Sequence, residues 1–140
     1  MTRVSEYRLR RRVRFYEVDG AGIVHFSWFF RYMEEAEYEL WRSAGVSLTR
    51  LEGMGFPRVA TSFEFKRPLR FDDEFEARIQ ITAIREKTIA YACTLTLDGE
   101  IVALGTMTIA CARAMPGERM RAIPLPAEII ERIEAVATGA

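Results

Sequence analysis

The chain has 140 residues, 49% of them hydrophobic and 29% charged, a composition that supports a packed core and excludes an intrinsically disordered protein. This length predicts a single domain over residues 1–140. Twenty basic side chains balance twenty acidic ones, so the sequence lacks the strong positive charge typical of proteins that bind nucleic acid or anionic membranes, and we expect neither partner.

The first predicted element is a β-strand over residues 7–15, in which apolar residues alternate with arginines at Tyr7, Leu9, Val13 and Phe15. A period of two is typical of a strand with one face in solvent. The segment is rich in arginine, and in a strand most of these side chains would share the solvent-exposed face: Arg8, Arg10, Arg11, Arg12 and Arg14. An anion-binding surface is the alternative interpretation.

A helix is predicted over residues 28–43, with Ser27 as its N-cap and Gly45 ending it. Its apolar residues recur at spacings of three and four, which is typical of a helix with one buried face: Phe29, Met33, Ala36, Leu40 and Ala44. Such a helix is about 24 Å long, enough to cross a small sheet. Phe30 and Trp41 lie outside this stripe, and a second copy of the chain would cover them.

Residues 57–112 are predicted to form four strands, because apolar and polar residues alternate along most of this segment. Asp98-Gly99 is a two-residue hairpin signal that leads into the last of these strands. A short helix over residues 127–136 follows two prolines. Adjacent hairpins without intervening helices predict an α+β fold with one antiparallel sheet and one long helix.

Neither the cysteines nor the histidine indicates a metal site. Cys93 and Cys111 lack the spacing of metal ligands, and His25 is the only histidine. Both cysteines lie in apolar alternating segments, where free buried thiols are common. We expect no metal and no bound cofactor. The first residues lack the apolar core of a signal peptide and no apolar run is long enough to span a membrane, so we expect a soluble, cytoplasmic protein.

The segment YEVDGAGIVHF, residues 16–26, carries the candidate chemistry. Asp19 precedes two glycines, whose backbone permits close approach of another group, and then the start of the long helix. Unpaired N–H groups at a helix start can polarise a carbonyl and stabilise an oxyanion. A carboxylate beside them could attack that carbonyl or deprotonate a water molecule. The alternative is that Asp19 only forms a turn, since Asp-Gly is common in turns.

Beyond these local patterns, residues 13–45 resemble the signature of hotdog-fold acyl-CoA thioesterases of the 4-hydroxybenzoyl-CoA thioesterase type. The signature is an acid-x-Asp-x-x-Gly-x-Val stretch followed by a long helix with aromatic and acidic residues, and here it begins at Glu17. Three later segments are also similar to the family: EFKRPLRFDDEFEARIQI, DGEIVALGTMTIACA and MRAIPLPAEIIERI. The resemblance covers approximately residues 7–135.

This resemblance implies a five-stranded antiparallel sheet wrapped around one long helix, assembled into homodimers or tetramers with active sites at the dimer interface. It assigns the catalytic carboxylate to Asp19, the backbone N–H that polarises the thioester carbonyl to Phe26, and the close approach of the acyl group to Gly22. Glu17 replaces an aspartate that is common in the family. His25 stands where many members have another residue, so its role does not carry over.

The remaining candidates each have two interpretations. His25 could orient water or contact the acyl group, or it could shape the pocket wall. Glu37 could pair with a basic residue in the dimer interface or act as a second polar group of the site. Three basic residues around Pro68 could bind the phosphates of coenzyme A or be merely solvated: Lys66, Arg67 and Arg70.

The sequence therefore predicts a thioesterase that hydrolyses an acyl-CoA, with an aromatic or a short or medium acyl group, to a carboxylic acid and free coenzyme A. A dehydratase of the same fold would need a His-x-x-x-Phe-Pro-Gly pattern, which does not occur in this sequence. A non-catalytic module that binds an acyl group or another small ligand is the alternative. The acyl group, and the choice between coenzyme A and a carrier protein, stay open.

Overall fold

The computed structural model describes residues 2–47 and 53–137. The main elements are one long helix and five long strands, joined by short strands, a short C-terminal helix and a 3₁₀ turn at Phe15–Glu17. In chain order they are β1 (Glu6–Arg12), α1 (Ser27–Ser43), β2 (Met54–Gly55), β3 (Arg58–Phe65), β4 (Glu74–Ile84), β5 (Thr88–Leu97), β6 (Glu100–Ala110), β7 (Ala112–Arg113), β8 (Arg121–Ala122) and α2 (Ala127–Ile130).

The five long strands form one antiparallel sheet in the order β1-β4-β5-β6-β3, so β1 and β3 lie at its two edges. Strands β5 and β6 are joined at Asp98-Gly99, where both residues have positive φ, 49° and 79°. That geometry is the two-residue hairpin turn that the Asp-Gly pair predicts. The predicted α+β class with an antiparallel sheet is confirmed. Short strands β2, β7 and β8 form a separate small sheet.

Helix α1 lies across one face of this sheet, against β1 and β4. Its predicted apolar stripe is buried, with Ala36 and Leu40 both 0% exposed. Facing side chains of β4 and β5 complete the core: Phe75, Ala77, Ile79, Ile81, Ile89, Tyr91, Cys93 and Leu95. Burying each large apolar side chain contributes about 1.5–3 kcal/mol, so this contact is the main source of stability. Both cysteines are free and buried, as predicted.

The solvent-exposed arginine face of β1 is confirmed in part. Arg8, Arg10 and Arg12 are exposed and form ion pairs with glutamates of β4. Arg11 is the exception, because its side chain is only 11% exposed and points to the helix side, where it pairs with two acids.

Three predicted boundaries are wrong. Strand β1 ends at Arg12, not at residue 15, because the Arg14 N–H donates to the Glu17 carboxylate and turns the chain out of the sheet. Ser27 is the first helical residue, and Phe26 takes the N-cap position. Helix α2 has only four residues, since the chain beyond it extends and pairs Ile133 with Val4.

The expectation that Trp41 needs a second copy for cover is also wrong. Its side chain is 1% exposed, and its indole N–H donates to the Tyr91 hydroxyl at 3.1 Å within the same chain. Glu37 is likewise buried, and it forms a bidentate ion pair with Arg58 of its own chain. In the part of the chain that the structure describes, no helix has both the length and the apolar character that crossing a bilayer requires.

Gly105 of β6 tests the packing of the aromatic side chains above the sheet. A Cβ at this position would lie 2.5–3.0 Å from three ring atoms of Phe63. That ring cannot easily move, because it contacts the rings of Phe29, Phe30 and Phe65. We expect Gly105→Ala to lower the free energy of unfolding by about 1–3 kcal/mol, measured by urea denaturation.

Gly55→Ala is the matched control, because its added Cβ has no atom of the described residues within 4 Å and its φ is not positive. We expect the control to keep the wild-type free energy of unfolding within about 0.5 kcal/mol. Equal free energies of unfolding for the two variants would show that the Phe63 ring can shift freely.

Candidate active site

Residues 18–24 form a small loop whose two sides pair with each other. Val18 and Val24 form an antiparallel bridge, and the Asp19 N–H donates to the Ile23 carbonyl at 2.8 Å. At the turn, the Gly22 N–H donates to the Asp19 carbonyl at 3.0 Å. Gly22 has a φ of 82°, a conformation that other residues rarely adopt, so glycine is favoured here for backbone reasons alone.

The Asp19 side chain is exposed and partly fixed in orientation. Its Oδ1 accepts a hydrogen bond from the Ala21 N–H at 2.8 Å, which is the turn interaction that the Asp-Gly pair predicts. Its Oδ2 has no hydrogen-bond partner among the described residues. One oxygen therefore holds the carboxylate in place while the other is available to a ligand.

Asp19 lines a cavity of about 690 Å³ between this loop, the start of α1 and the segment after β3. The Ile23–Arg70 bridge and the bond from the Val24 N–H to the Leu69 carbonyl, at 2.8 Å, hold the two walls together. Apart from Asp19, the lining is aromatic and aliphatic on one side and basic on the other: Ala21, Ile23, Val24, Phe26, Phe29, Phe65, Lys66, Arg67, Pro68 and Arg70. The cavity can thus accept an apolar group and an anionic group together.

At the start of α1, the N-cap residue Phe26 has a backbone N–H that makes no hydrogen bond within the described residues. The Trp28 N–H donates to the His25 carbonyl at 3.0 Å, and the Ser27 N–H donates to the His25 ring at 3.3 Å. Within the described residues the Phe26 N–H has no acceptor, although Phe26 lines the cavity. An unpaired N–H at the positive end of a helix dipole can bind a carbonyl oxygen or an oxyanion.

Both the Asp19 loop and the helix start lie in a segment that matches a known family. Residues 13–133 match the family model of the thioesterase-like superfamily. The chain belongs to this superfamily. The family expected from the sequence is therefore confirmed, and the predicted enzyme class, a thioester hydrolase, is the class of the thioesterase-like superfamily.

Individual proteins agree with this membership. A putative esterase from Aquifex aeolicus (strain VF5) is 41% identical over 85 residues, which span 59% of this chain and 66% of that protein, just under two thirds of its length. The 1,4-dihydroxy-2-naphthoyl-CoA hydrolase of Synechococcus sp. (strain CC9311) is 26% identical over 142 residues, covering 94% of this chain and 91% of that protein.

The hotdog fold is confirmed by comparison with solved structures. The X-ray structure of a 4-hydroxybenzoyl-CoA thioesterase variant in complex with 4-hydroxybenzoyl-CoA has a TM-score of 0.81 to this chain, with 24% identity. The match covers 93% of this chain and 99% of that one, so the two proteins share the whole arrangement of sheet and helix.

Two predicted site residues of this thioesterase-superfamily protein do not line the cavity. The His25 side chain is exposed, and its Nδ1 bonds the Ser27 hydroxyl at 2.8 Å, so the ring caps the helix start. Gly22 shapes the loop through its backbone, as described above. A catalytic role for His25 and contact between Gly22 and an acyl group stay predictions.

The three predicted basic residues all line the cavity, but they differ in their partners. Lys66 lies 3.7 Å from a carboxylate oxygen of Glu64, and Arg67 forms an ion pair with Glu100. Among the described residues, the Arg70 guanidinium has no ion-pair partner. Arg70 is therefore the cation of the cavity wall with the most unsatisfied hydrogen-bonding capacity.

A buried cluster next to the Asp19 loop was not predicted from the sequence. Glu17 is 0% exposed, and its carboxylate accepts hydrogen bonds from Arg11 of β1 and Tyr32 of α1. Burial acts to raise the pKa of Glu17, but hydrogen bonds from Arg11, the Arg14 N–H and Tyr32 outweigh it and hold that pKa below its ordinary value. Burial and the bond to Glu17 also raise the pKa of Tyr32.

Within residues 2–47 and 53–137, no group of three or more His, Cys, Asp or Glu side chains is arranged to hold a metal ion. The expectation that the protein needs no metal and no bound cofactor stays a prediction.

Proposed function

We propose that this protein is an acyl-CoA thioesterase, which hydrolyses the thioester to a carboxylic acid and free coenzyme A. The observation that carries the proposal is the pairing of Asp19 and Phe26 on one cavity. Asp19 contributes a carboxylate oxygen without a partner, and Phe26 contributes an N–H without an acceptor, among the described residues. A base or nucleophile and an oxyanion donor are the two groups that acyl transfer requires.

In the proposed reaction, the thioester carbonyl oxygen accepts a hydrogen bond from the Phe26 N–H. Negative charge that develops on this oxygen is stabilised there by the positive end of the α1 dipole. Asp19 then follows one of two routes. It attacks the carbonyl carbon and forms an anhydride that water cleaves, or it takes a proton from the water that attacks. In both routes the C–S bond breaks. In the anhydride route coenzyme A leaves as a thiolate that takes a proton from solvent, and in the general-base route the proton that Asp19 took from water passes to the leaving sulfur.

For the acyl group we propose an aromatic or a short or medium chain. The cavity presents the rings of Phe26, Phe29 and Phe65, and the rings of Phe29 and Phe65 meet edge to face with centroids 5.0 Å apart. Flat apolar groups pack well against such rings. The Synechococcus relative, whose name describes a naphthoyl-CoA hydrolase, supports the aromatic option.

Release of free thiol from a panel of aryl- and fatty acyl-CoAs tests the activity, and Asp19→Asn tests the site. The substitution keeps the size of the side chain but removes its charge and basicity, so we expect turnover to fall about 10²–10⁴-fold. A single turnover in ¹⁸O-water then distinguishes the routes, because only the anhydride route can leave label in the Asp19 carboxylate.

The matched control for this experiment is Asp98→Asn, at the β5–β6 turn, where asparagine is equally well suited to the positive φ of 49°. We expect this variant to keep wild-type turnover. Near-wild-type turnover of Asp19→Asn would instead show that Asp19 is only a turn residue. A wild-type chain that binds acyl-CoAs without releasing thiol would indicate the non-catalytic binding module.

We further propose that Arg70 binds a phosphate of coenzyme A. A charged hydrogen bond contributes about 1.5–3 kcal/mol, so Arg70→Ala should raise the KM for acyl-CoA about tenfold and leave kcat nearly unchanged. The KM for the same acyl group on pantetheine, which lacks the nucleotide phosphates, should not change. Arg67→Ala is the control, because Glu100 already pairs with that guanidinium. An equal rise in KM for both carriers would assign Arg70 to acyl binding or to folding.

Finally, we propose that the protein forms at least a homodimer, with a tetramer as the larger alternative. Edge strand β3 supports this assembly, because seven of its eight residues are exposed, including Val59 at 59% and Phe65 at 49%. Uncovered apolar edge strands favour pairing with another chain. Light scattering at micromolar concentration should give a mass of two or more chains, and a stable, active monomer would contradict the proposal.

A further inference from the structure

We propose that the buried cluster of Glu17, Arg11 and Tyr32 is a positioning network that holds the Asp19 carboxylate and the Phe26 N–H in register with each other. Its effect on turnover rests on the proposed thioesterase function, whereas its effect on the loop geometry does not.

The side chain of Glu17 is fixed from three elements. Arg11 of β1 donates to Oε1 at 3.0 Å and to Oε2 at 2.5 Å, the Arg14 N–H donates to Oε1 at 2.8 Å, and the Tyr32 hydroxyl of α1 donates to Oε1 at 2.8 Å. Arg11 also donates to Glu35 of α1 at 2.9 Å and lies over the Tyr32 ring, 5.1 Å from its centroid. These hydrogen bonds fix the Glu17 side chain relative to both β1 and α1.

The backbone of Glu17 transmits this position to the loop. Its carbonyl accepts the His25 N–H at 2.9 Å, and the next residue pair, Val18 and Val24, forms the antiparallel bridge. Asp19 comes two residues after Glu17, and Phe26 comes one residue after His25. The Asp19 carboxylate and the Phe26 N–H therefore both lie within two residues of the backbone hydrogen bond between His25 and Glu17, and Glu17 is the residue that the cluster holds in place.

Stability alone is a poor explanation for a charged cluster at this place. Replacing a buried ion pair by apolar residues of similar volume is often neutral or stabilising, because desolvation offsets the attraction. What the charged cluster adds is directional geometry, since each hydrogen bond fixes both a distance and an angle. Positioning of reacting groups is sensitive to such geometry, and a misplacement of about 1 Å can cost 10²-fold in rate.

A second buried glutamate, Glu37, has an arginine partner and, among the described residues, no hydrogen bond to the Asp19 loop. Glu37 of α1 is also 0% exposed and pairs with Arg58, and burial together with the nearby Glu37 raises the pKa of Tyr91. This second cluster joins α1 to β3 and β5 instead of to the Asp19 loop. Tyr91→Phe therefore removes a buried phenol hydroxyl near a buried glutamate, as Tyr32→Phe does, and in addition leaves the Trp41 indole N–H without its acceptor. It serves as the control for the loss of a buried hydroxyl that does not contact the loop.

The experiment compares Tyr32→Phe and Tyr91→Phe in kcat, KM and amide hydrogen exchange. For Tyr32→Phe we expect kcat to fall about tenfold with KM within about twofold of wild type, because the acyl-CoA contacts are retained while the reacting groups lose alignment. We also expect exchange of the His25 and Asp19 N–H groups to become faster. For Tyr91→Phe we expect wild-type kcat and wild-type exchange at these two positions.

Glu17→Gln extends the series, since it keeps the size of the side chain and removes the charge that Arg11 contacts. We expect a larger fall in kcat than for Tyr32→Phe, again with little change in KM. If this variant does not fold, the two tyrosine variants still decide the question.

Two results would overturn the inference. One is equal kcat for Tyr32→Phe and Tyr91→Phe, and the other is equal exchange of the loop amides in these two variants. If the wild-type chain releases no thiol from any acyl-CoA, the proposed function fails. Amide hydrogen exchange of the His25 and Asp19 N–H groups then tests, without any activity, whether the cluster positions the loop. Faster exchange in Tyr32→Phe alone supports the network, and equal exchange rejects it.

Discussion

The burial of helix α1 against one face of the sheet determines where the other parts of the candidate site lie. Its apolar stripe can be removed from water only with the helix axis across β1 and β4, and this orientation places the helix start beside the loop that follows β1. The segment after β3 closes the remaining side through its bridge from Arg70 to Ile23. The cavity is therefore a consequence of helix-on-sheet packing, to which the loop adds Asp19 and the segment after β3 adds the basic side chains.

The same packing of α1 against the sheet buries two glutamate side chains, Glu17 and Glu37. Glu37 lies on α1 itself, and Glu17 is reached by Tyr32 of α1, yet both glutamates are fully buried and fully bonded. Buried carboxylates are tolerated only when cations and donors satisfy them, and here Arg11 and Arg58 do so from β1 and β3. The middle of α1 is thus tied to the sheet by two guanidiniums, one from β1 and one from β3, in addition to its apolar contacts.

The sequence predicted those parts of the fold and site that depend on periodicity or on a family signature. Alternation gave the strands, and the spacing of Phe29, Met33 and Ala36 gave the buried face of α1, because both patterns record local geometry. Asp19 was predicted from the pattern and the resemblance, and the Phe26 N–H through the resemblance; both residues line one cavity, and their catalytic roles stay predictions. Strand and helix ends were less predictable, since β1 ends at a short turn held by the bond from the Arg14 N–H to Glu17, and α2 ends where Ile133 pairs with the distant Val4. The inward orientation of Arg11 was missed although its position between Leu9 and Val13 puts it on the buried face, because arginine is usually exposed and one of its acids, Glu35, lies 24 residues away.

The burial of both cysteines has a chemical consequence for the proposed activity. Burial raises the pKa of Cys93 to about 12 and that of Cys111 above its ordinary value, so almost none of either thiol is ionised at neutral pH. Thiolates attack thioesters, and an acyl group moved onto a protein sulfur would leave the chain covalently modified. Because both thiols are buried and kept protonated, neither cysteine sulfur competes for the acyl group of a thioester in the proposed activity.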